Sequence, residues 1–130
     1  MDADYAANEP TPGAPRFEHA LFVKSQVMSR GSAHAVVDAG HKAHAIDSGL
    51  PRVWQRELEF ANGGDEHGIL RTVGSTRGDT LPELGATVWL VPGHCDPTVN
   101  LHDRYVGIRG GLEHGVVESL WQVDARGCLS

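Results

Sequence analysis

The stretch ATVWLVPGHCDPTVNL, residues 86–101, joins a short apolar run to a histidine, a cysteine and an aspartate in a row. The run ATVWLV is apolar on both sides, which is typical of a central strand with both faces covered. Pro92 cannot continue such a strand, and Gly93 leaves room for a ligand to approach. The stretch therefore predicts a buried strand that ends at potential metal ligands.

Short segments rich in apolar and β-branched residues recur along the rest of the chain, separated by glycine and proline. This pattern and 16 glycines are typical of a β-sandwich or barrel. Trp54, Leu58 and Phe60 would lie on one face of a half-exposed strand, and Glu57 and Glu59 on the other. We predict an all-β domain, either a partly open barrel or a sandwich. The predicted strand segments are residues 19–29, 34–40, 52–61, 67–74, 86–92, 103–111 and 114–123.

Composition and charge exclude several classes of partner. The chain has 130 residues and a net charge of −6, with a pI near 5.7. This charge disfavours nucleic acid and anionic membranes as partners. No apolar run reaches the roughly 18 residues of a membrane span, and the N-terminus does not read as a secretory signal, so we expect a cytoplasmic protein. Cys95 and Cys128 are too few for a disulfide scaffold and are expected to be reduced.

The His94–Asp96 segment has the ligand types of an open metal site. If the backbone stays extended past Gly93, His94 and Asp96 point to one side and Cys95 to the other. One imidazole nitrogen and one carboxylate oxygen favour Mn²⁺, Mg²⁺ or Zn²⁺, and two protein ligands leave the open coordination sphere that Lewis-acid catalysis requires. The alternative is a surface turn in which Asp96 caps a backbone amide ahead of Pro97.

Six blocks, in this order, resemble the C-terminal part of the D-threonine aldolase and D-serine dehydratase-like family. That family is a branch of the fold-type III pyridoxal phosphate (PLP) enzymes, which also include the alanine racemases. The HCDPTVNLHD block is the most specific of the matches. The blocks are MDADY (1–5), ALFVKSQVMSR (20–30), AVVDAGHKAHAIDSGLP (35–51), DEHG (65–68), VPGHCDPTVNLHDRYVG (91–107) and LWQVDARG (120–127).

The resemblance implies a metal site and a reaction. The family's C-terminal β domain carries a histidine and, two residues later, an aspartate or cysteine as metal ligands, here His94 and Asp96. Aspartate resembles the aldolase branch and favours Mn²⁺ or Mg²⁺, with Zn²⁺ as the alternative. The implied activity is the PLP-dependent cleavage of a β-hydroxy D-amino acid to glycine and an aldehyde. A D-serine or D-hydroxyaspartate dehydratase is the alternative lyase, and the family implies a homodimer.

The resemblance also implies that the N-terminal (β/α)₈ barrel is missing. Residues 1–16 would be a remnant of the last barrel strand, with Asp2, Asp4 and Tyr5, followed by a proline-rich linker, and residues 17–130 the β domain. The remaining lysines, Lys24 and Lys42, are expected to be surface residues and not the cofactor lysine. We therefore expect no activity from this chain alone. A non-catalytic β interaction module or a gene fragment is the alternative from another class.

The other candidate residues have weaker signals. His67 resembles a family position and suits either a proton-transfer group beside the site or a turn histidine, and Asp65 and Glu66 suit a turn. His102 and Asp103 could orient the ligands, although a solvated loop is favoured. Cys95 is expected to pack. The scattered histidines without a spacing signal are His19, His34, His41, His44 and His114.

Overall fold

The computed structural model describes residue 13 and residues 17–74 and 80–127, and it is almost entirely β. The predictions for residues 1–16, Gly13 apart, and for Cys128 lie outside the described residues. No helix in the described part of the chain is long and apolar enough to cross a membrane. The elements are β1 (Val23–Arg30), β2 (Ala35–Val37), β3 (Arg52–Val53), β4 (Leu58–Asn62), β5 (Gly68–Thr72), β6 (Thr87–Val91), α1 (Cys95–Val99), β7 (Arg104–Arg109) and β8 (Val116–Gln122).

Six of the strands form one curled sheet in the order β3-β6-β1-β2-β5-β4, with antiparallel neighbours throughout. The two edge strands, β3 and β4, contact each other, so the sheet closes nearly into a barrel. The predicted all-β class is confirmed. Strand β6 is central in the sheet, because it pairs with β1 on one side and β3 on the other. Val88 and Leu90 are buried, whereas Thr87 is exposed and Trp89 half-buried, so the prediction that both faces are covered holds only in part.

The interior of the barrel is filled by alternate side chains of its strands. In β1, Val23, Ser25 and Val27 are buried and the residues between them are exposed, which is the period of a half-buried strand. Leu70 of β5 and Leu90 of β6 are both 0% exposed. The core residues are Val23, Val27, Ala35, Val37, Ala39, Val53, Leu58, Phe60, Leu70, Leu81, Val88 and Leu90.

The prediction of one strand over residues 52–61 is wrong, because this segment forms β3 and β4 on opposite edges of the sheet. The chain turns between them at Gln55, whose φ of 55° lies in the left-handed region. Leu58 and Phe60 are buried and Glu59 is exposed, so the predicted alternation holds within β4. Trp54 belongs to the turn and not to that face.

Strands β7 and β8 form a separate two-stranded sheet with a register shift at Gly107. We call these two strands and their connection, residues 104–122, the terminal hairpin. Nearly all of β8 is exposed, although the strand is rich in large apolar side chains. The exposed large apolar residues of the hairpin are Val106, Val116, Val117, Leu120 and Trp121.

Candidate metal centre

The His94–Asp96 segment begins where β6 leaves the barrel. Pro92 and Gly93 are buried, and His94 is still extended, with φ −141° and ψ 127°. The chain then enters α1 at Cys95. Pro97 is compatible with this helix because it lies in the first turn, where backbone N–H groups have no helical partner.

The condition for a shared face of His94 and Asp96, an extended backbone past Gly93, is met at His94 but not beyond it. Helix α1 begins at Cys95, so the strand alternation that would place His94 and Asp96 on one face does not apply. Thr98 stabilises the helical path, because its buried hydroxyl donates a hydrogen bond to the His94 carbonyl at 2.6 Å. Asp96 is exposed in the first turn of the helix, and Cys95 is half-buried.

The His94 ring is held by a residue that the sequence reasoning did not single out. Its Nδ1 lies 2.6 Å from Oδ2 of Asp47 and 3.4 Å from the Ser48 hydroxyl. The hydrogen bond from His94 lowers the pKa of the exposed Asp47 carboxyl, so this group is a carboxylate at neutral pH. The only sequence signal for Asp47 was its place within the 35–51 block, since it lies far from His94 along the chain.

Asp47 belongs to the segment between β2 and β3, residues 38–51, which we call the anchoring loop. A Cβ on Gly93 would lie 2.2 Å from the Gly49 carbonyl oxygen, so the loop and the end of β6 are in direct backbone contact. At the other end of the His94–Val99 segment, the Ala45 amide donates a hydrogen bond to the Thr98 hydroxyl at 3.1 Å. The loop is therefore joined to both ends of the His94–Val99 segment.

The expectation that His102 lies in a solvated loop needs revision. Its Nε2 lies 2.8 Å from the Ala43 carbonyl, so the ring is hydrogen-bonded to the anchoring loop. Asp103 forms an ion pair with Arg126 near the terminal hairpin. Among the described contacts neither side chain hydrogen-bonds to His94 or Asp96, so a role in orienting the ligands stays a prediction.

The other end of the anchoring loop packs on the turn between β4 and β5. A Cβ on Gly40 would lie 2.4 Å from the Gly64 carbonyl oxygen, and the Lys42 amide donates to the Asp65 carbonyl at 3.0 Å. Lys42 also forms an ion pair with Glu66. Asp65 and Glu66 are turn residues, as predicted.

His67 is an exposed residue at the end of the same turn. Its backbone carbonyl accepts a hydrogen bond from the Gly63 amide at 2.9 Å. This backbone contact accounts for its place in the turn, and a proton-transfer role for its side chain stays a prediction. The anchoring loop thus contacts the 63–67 turn at one end and the His94 segment at the other.

One histidine without a spacing signal is a core residue. His44 is 1% exposed and its ring packs edge-on against Phe60 with centroids 5.2 Å apart. Its Nε2 is buried without a hydrogen-bond partner among the described residues. Burial lowers the pKa of His44, so the ring is neutral in the folded chain. Because histidine is a polar residue, the apolar pattern of the sequence did not predict that this position is buried.

The donor chemistry of the site fits a divalent cation. His94 offers an imidazole nitrogen whose ring is oriented by Asp47, and Asp96 offers an exposed carboxylate. Within residues 17–74 and 80–127, no three His, Cys, Asp or Glu side chains converge on one point. A cation here would therefore complete its coordination with groups other than these protein side chains.

Both lysines differ from a cofactor-binding lysine in their surroundings. Lys24 is an exposed residue of β1, and Lys42 is exposed and paired with Glu66. The pKa of Lys42 is raised by that contact, which keeps the amine protonated and a poor nucleophile. These residues do not fit covalent attachment of PLP.

The sequence is similar to a known family and to known proteins over most of its length. Residues 20–108 match the family described as "Putative serine dehydratase domain". The chain is 44% identical over 133 residues to the 3-hydroxy-D-aspartate aldolase of Paracoccus denitrificans and 43% identical over 129 residues to the D-threonine aldolase of Arthrobacter sp. Each comparison covers 98% of this chain and 32% of the relative.

A solved structure has the same fold. The chain is 48% identical to the D-threonine aldolase from Filomicrobium marinum, with a TM-score of 0.88, and the match covers 100% of this chain and 34% of that one. The chain therefore spans about a third of the length of the relatives it matches.

Proposed function

Because the chain belongs to the serine dehydratase domain family, we propose that it is the metal-carrying β domain of a PLP-dependent, D-threonine aldolase-like lyase. The reaction is cleavage of a β-hydroxy D-amino acid to glycine and an aldehyde. In this proposal the β domain spans residues 17–130. The rest of the lyase is a barrel domain, and the complete enzyme is a cytoplasmic homodimer.

One observation supports the proposal above the others. His94 follows the central strand and Asp96 lies in the first turn of α1, both inside the region matched by the family. Their donor types suit Mn²⁺ or Mg²⁺, with Zn²⁺ as the alternative. Relatives with an aldolase name are 43–44% identical over nearly the whole chain. The aldolase chemistry is proposed from that similarity, and the ligand pair from the residues themselves.

The protein groups have separate tasks in this proposal. A divalent metal at the site would supply a Lewis acid for the β-hydroxyl group of the substrate. His94 and Asp96 would bind the metal. The neutral, buried His44 lies three residues before Asp47 in the anchoring loop and packs against Phe60 of the barrel core. Neither lysine of this chain fits PLP, so the groups that hold the cofactor come from the barrel domain. For this reason we propose that the chain alone is inactive.

Metal binding tests the site directly. The 130-residue chain is titrated with Mn²⁺ by electron paramagnetic resonance, beside the His94→Ala and Asp96→Ala variants. We expect saturable binding that both substitutions abolish, whereas the control His114→Ala, an exposed histidine of the terminal hairpin, binds as the unchanged chain does. Binding that survives both substitutions at the site would contradict the assignment.

A chimera tests the reaction. This chain replaces the matching third of the Filomicrobium marinum D-threonine aldolase, and the product is assayed with PLP, Mn²⁺ and D-threonine. We expect glycine and acetaldehyde from the chimera, none from the chimera carrying His94→Ala, and none from the 130-residue chain alone. Production of ammonia and a 2-oxo acid in place of glycine would identify the alternative, a dehydratase of D-serine or D-hydroxyaspartate. The family description names a serine dehydratase domain.

The second candidate function is a non-catalytic interaction module, and the terminal hairpin favours it. Val116, Leu120 and Trp121 are all more than half exposed on β8. Apolar surface of this kind commonly marks an interaction site. Size-exclusion chromatography with light scattering on the 130-residue chain, and on a Leu120→Ser, Trp121→Ser double variant, separates the two readings. Self-association lost in the variant, together with an inactive chimera, would favour the module.

A further inference from the structure

We infer that Asp47 is the positioning residue of the metal centre: it holds the proton and the orientation of the His94 ring so that Nε2 is the metal-binding atom. This inference rests on the proposed metal site at His94. It adds a residue from the anchoring loop, 47 positions before the ligand, to the two side chains of the proposed site.

The argument starts from the ring nitrogen that Asp47 contacts. Nδ1 of His94 lies 2.6 Å from the Asp47 carboxylate oxygen, a distance typical of a short, charge-assisted hydrogen bond. A carboxylate can only accept, so the proton lies on Nδ1. A cation at His94 would therefore have to bind through Nε2. Metal-ligating histidines commonly donate their other ring N–H to a carboxylate, which fixes the tautomer and raises the basicity of the ligating nitrogen.

Asp47 is an exposed side chain, and its backbone supplies the rigidity that positioning requires. The Gly49 amide donates to the Ile46 carbonyl at 3.1 Å, which closes a tight turn around Asp47. The backbone contact between Gly49 and Gly93 then places this turn directly against the residue before His94. The loop can hold the carboxylate at a set distance from the ring because both partners are fixed by backbone contacts.

The geometry separates this role from two simpler ones. A plain surface ion pair would need neither the Gly49–Gly93 contact nor the extended backbone at His94. If Asp47 were itself a ligand, its carboxylate would be required for the cation and not for the tautomer of the metal-free ring. Each role therefore predicts a different response in the metal-free chain.

The test uses the 130-residue chain without metal and then with Mn²⁺. Long-range ¹H–¹⁵N NMR reports the tautomer of the His94 ring, whose signals are assigned by their loss in His94→Ala. We expect the Nδ1–H tautomer in the unchanged chain, its loss in Asp47→Ala, and its partial retention in Asp47→Asn, which keeps an acceptor oxygen. Asp124→Ala, which removes an exposed carboxylate from the turn after β8, is the matched control and should leave the tautomer unchanged.

Manganese affinity then links the tautomer to binding. We expect Asp47→Ala to weaken Mn²⁺ binding by about 10–100-fold, with Asp47→Asn intermediate and Asp124→Ala equal to the unchanged chain. An unaltered tautomer in Asp47→Ala would overturn the inference, whether affinity falls or not. If the unchanged chain shows no His94-dependent binding, the proposed metal site fails; if it binds and Asp47→Ala binds equally well, only the positioning role fails.

Discussion

Gly93 joins the end of β6 to the anchoring loop, and adding one methyl group there should disturb both. A Cβ at this position would lie 2.2 Å from the Gly49 carbonyl oxygen and 3.0 Å from its carbonyl carbon. These atoms are backbone, so a rotamer change cannot relieve the overlap. An ordinary contact of 3.4 Å in place of 2.2 Å requires the two backbones to part by about 1.2 Å.

That displacement has two consequences for Gly93→Ala. Forcing a methyl group into a packed contact costs about 1–3 kcal/mol of unfolding free energy, which for a domain of this size lowers Tm by roughly 3–15 °C. If the loop moves by the same amount, the His94–Asp47 hydrogen bond, now 2.6 Å, exceeds hydrogen-bonding distance. We therefore expect loss of the Nδ1–H tautomer along with loss of stability.

Thermal and urea unfolding, followed by circular dichroism, measure the first effect, and the NMR tautomer measurement the second. Gly31→Ala is the matched control, because its added Cβ would lie at an ordinary 3.5 Å from the His34 ring. The reasoning is refuted if Gly93→Ala unfolds within about 0.5 kcal/mol of that control. Retention of the tautomer despite a clear loss of stability would refute the coupling between Gly49 and Asp47.

Two further predictions concern the barrel. Leu90→Ala should cost about 2–5 kcal/mol, because Leu90 is fully buried in β6, whereas Leu84→Ala, at a residue 67% exposed, should change urea unfolding by less than about 0.5 kcal/mol. Burial lowers the pKa of His44, so the unfolded chain binds a proton that the folded chain does not; stability should be complete above the ordinary value of 6.5 and fall as the pH drops below it. His44 contributes at most about 1.4 kcal/mol of unfolding free energy per pH unit to this dependence. Urea unfolding at several pH values measures the slope, which should be absent in His44→Leu. An unchanged slope in that variant would contradict the assignment.

Individual strands could be predicted from the sequence because the pattern of apolar residues that specifies a strand is local. The apolar run ending at Val91 predicted the central strand, and Leu58 and Phe60 predicted the buried face of β4. The break between β3 and β4 was missed because no glycine or proline marks it. Gln55 has a positive φ at the turn where the chain passes from one edge strand to the other, and this turn depends on the arrangement of the whole, nearly closed sheet.

Of the candidate site, only the two ligands that are close neighbours in the sequence were predicted. His94 and Asp96 were found from spacing and resemblance, whereas helix α1 was not predicted, because the ligand pair was considered only on an extended backbone or in a surface turn. Pro97 in fact suits the first helical turn. The contact with Asp47 depends on the approach of Gly49 to Gly93, which brings together segments distant along the chain. Such a pairing has no local periodicity that could predict it.

The strand order of the barrel leaves β1 without one of its partner strands during synthesis of the chain. Val23 of β1 pairs with Leu90 of β6, which is synthesised about 67 residues later. At roughly 5–20 residues per second, β1 would wait on the order of 3–13 s for that partner. During this interval one edge of β1 displays unpaired amides and carbonyls, the feature by which nascent chains aggregate. Co-expression with chaperones that shield nascent strands should therefore improve the yield of folded protein.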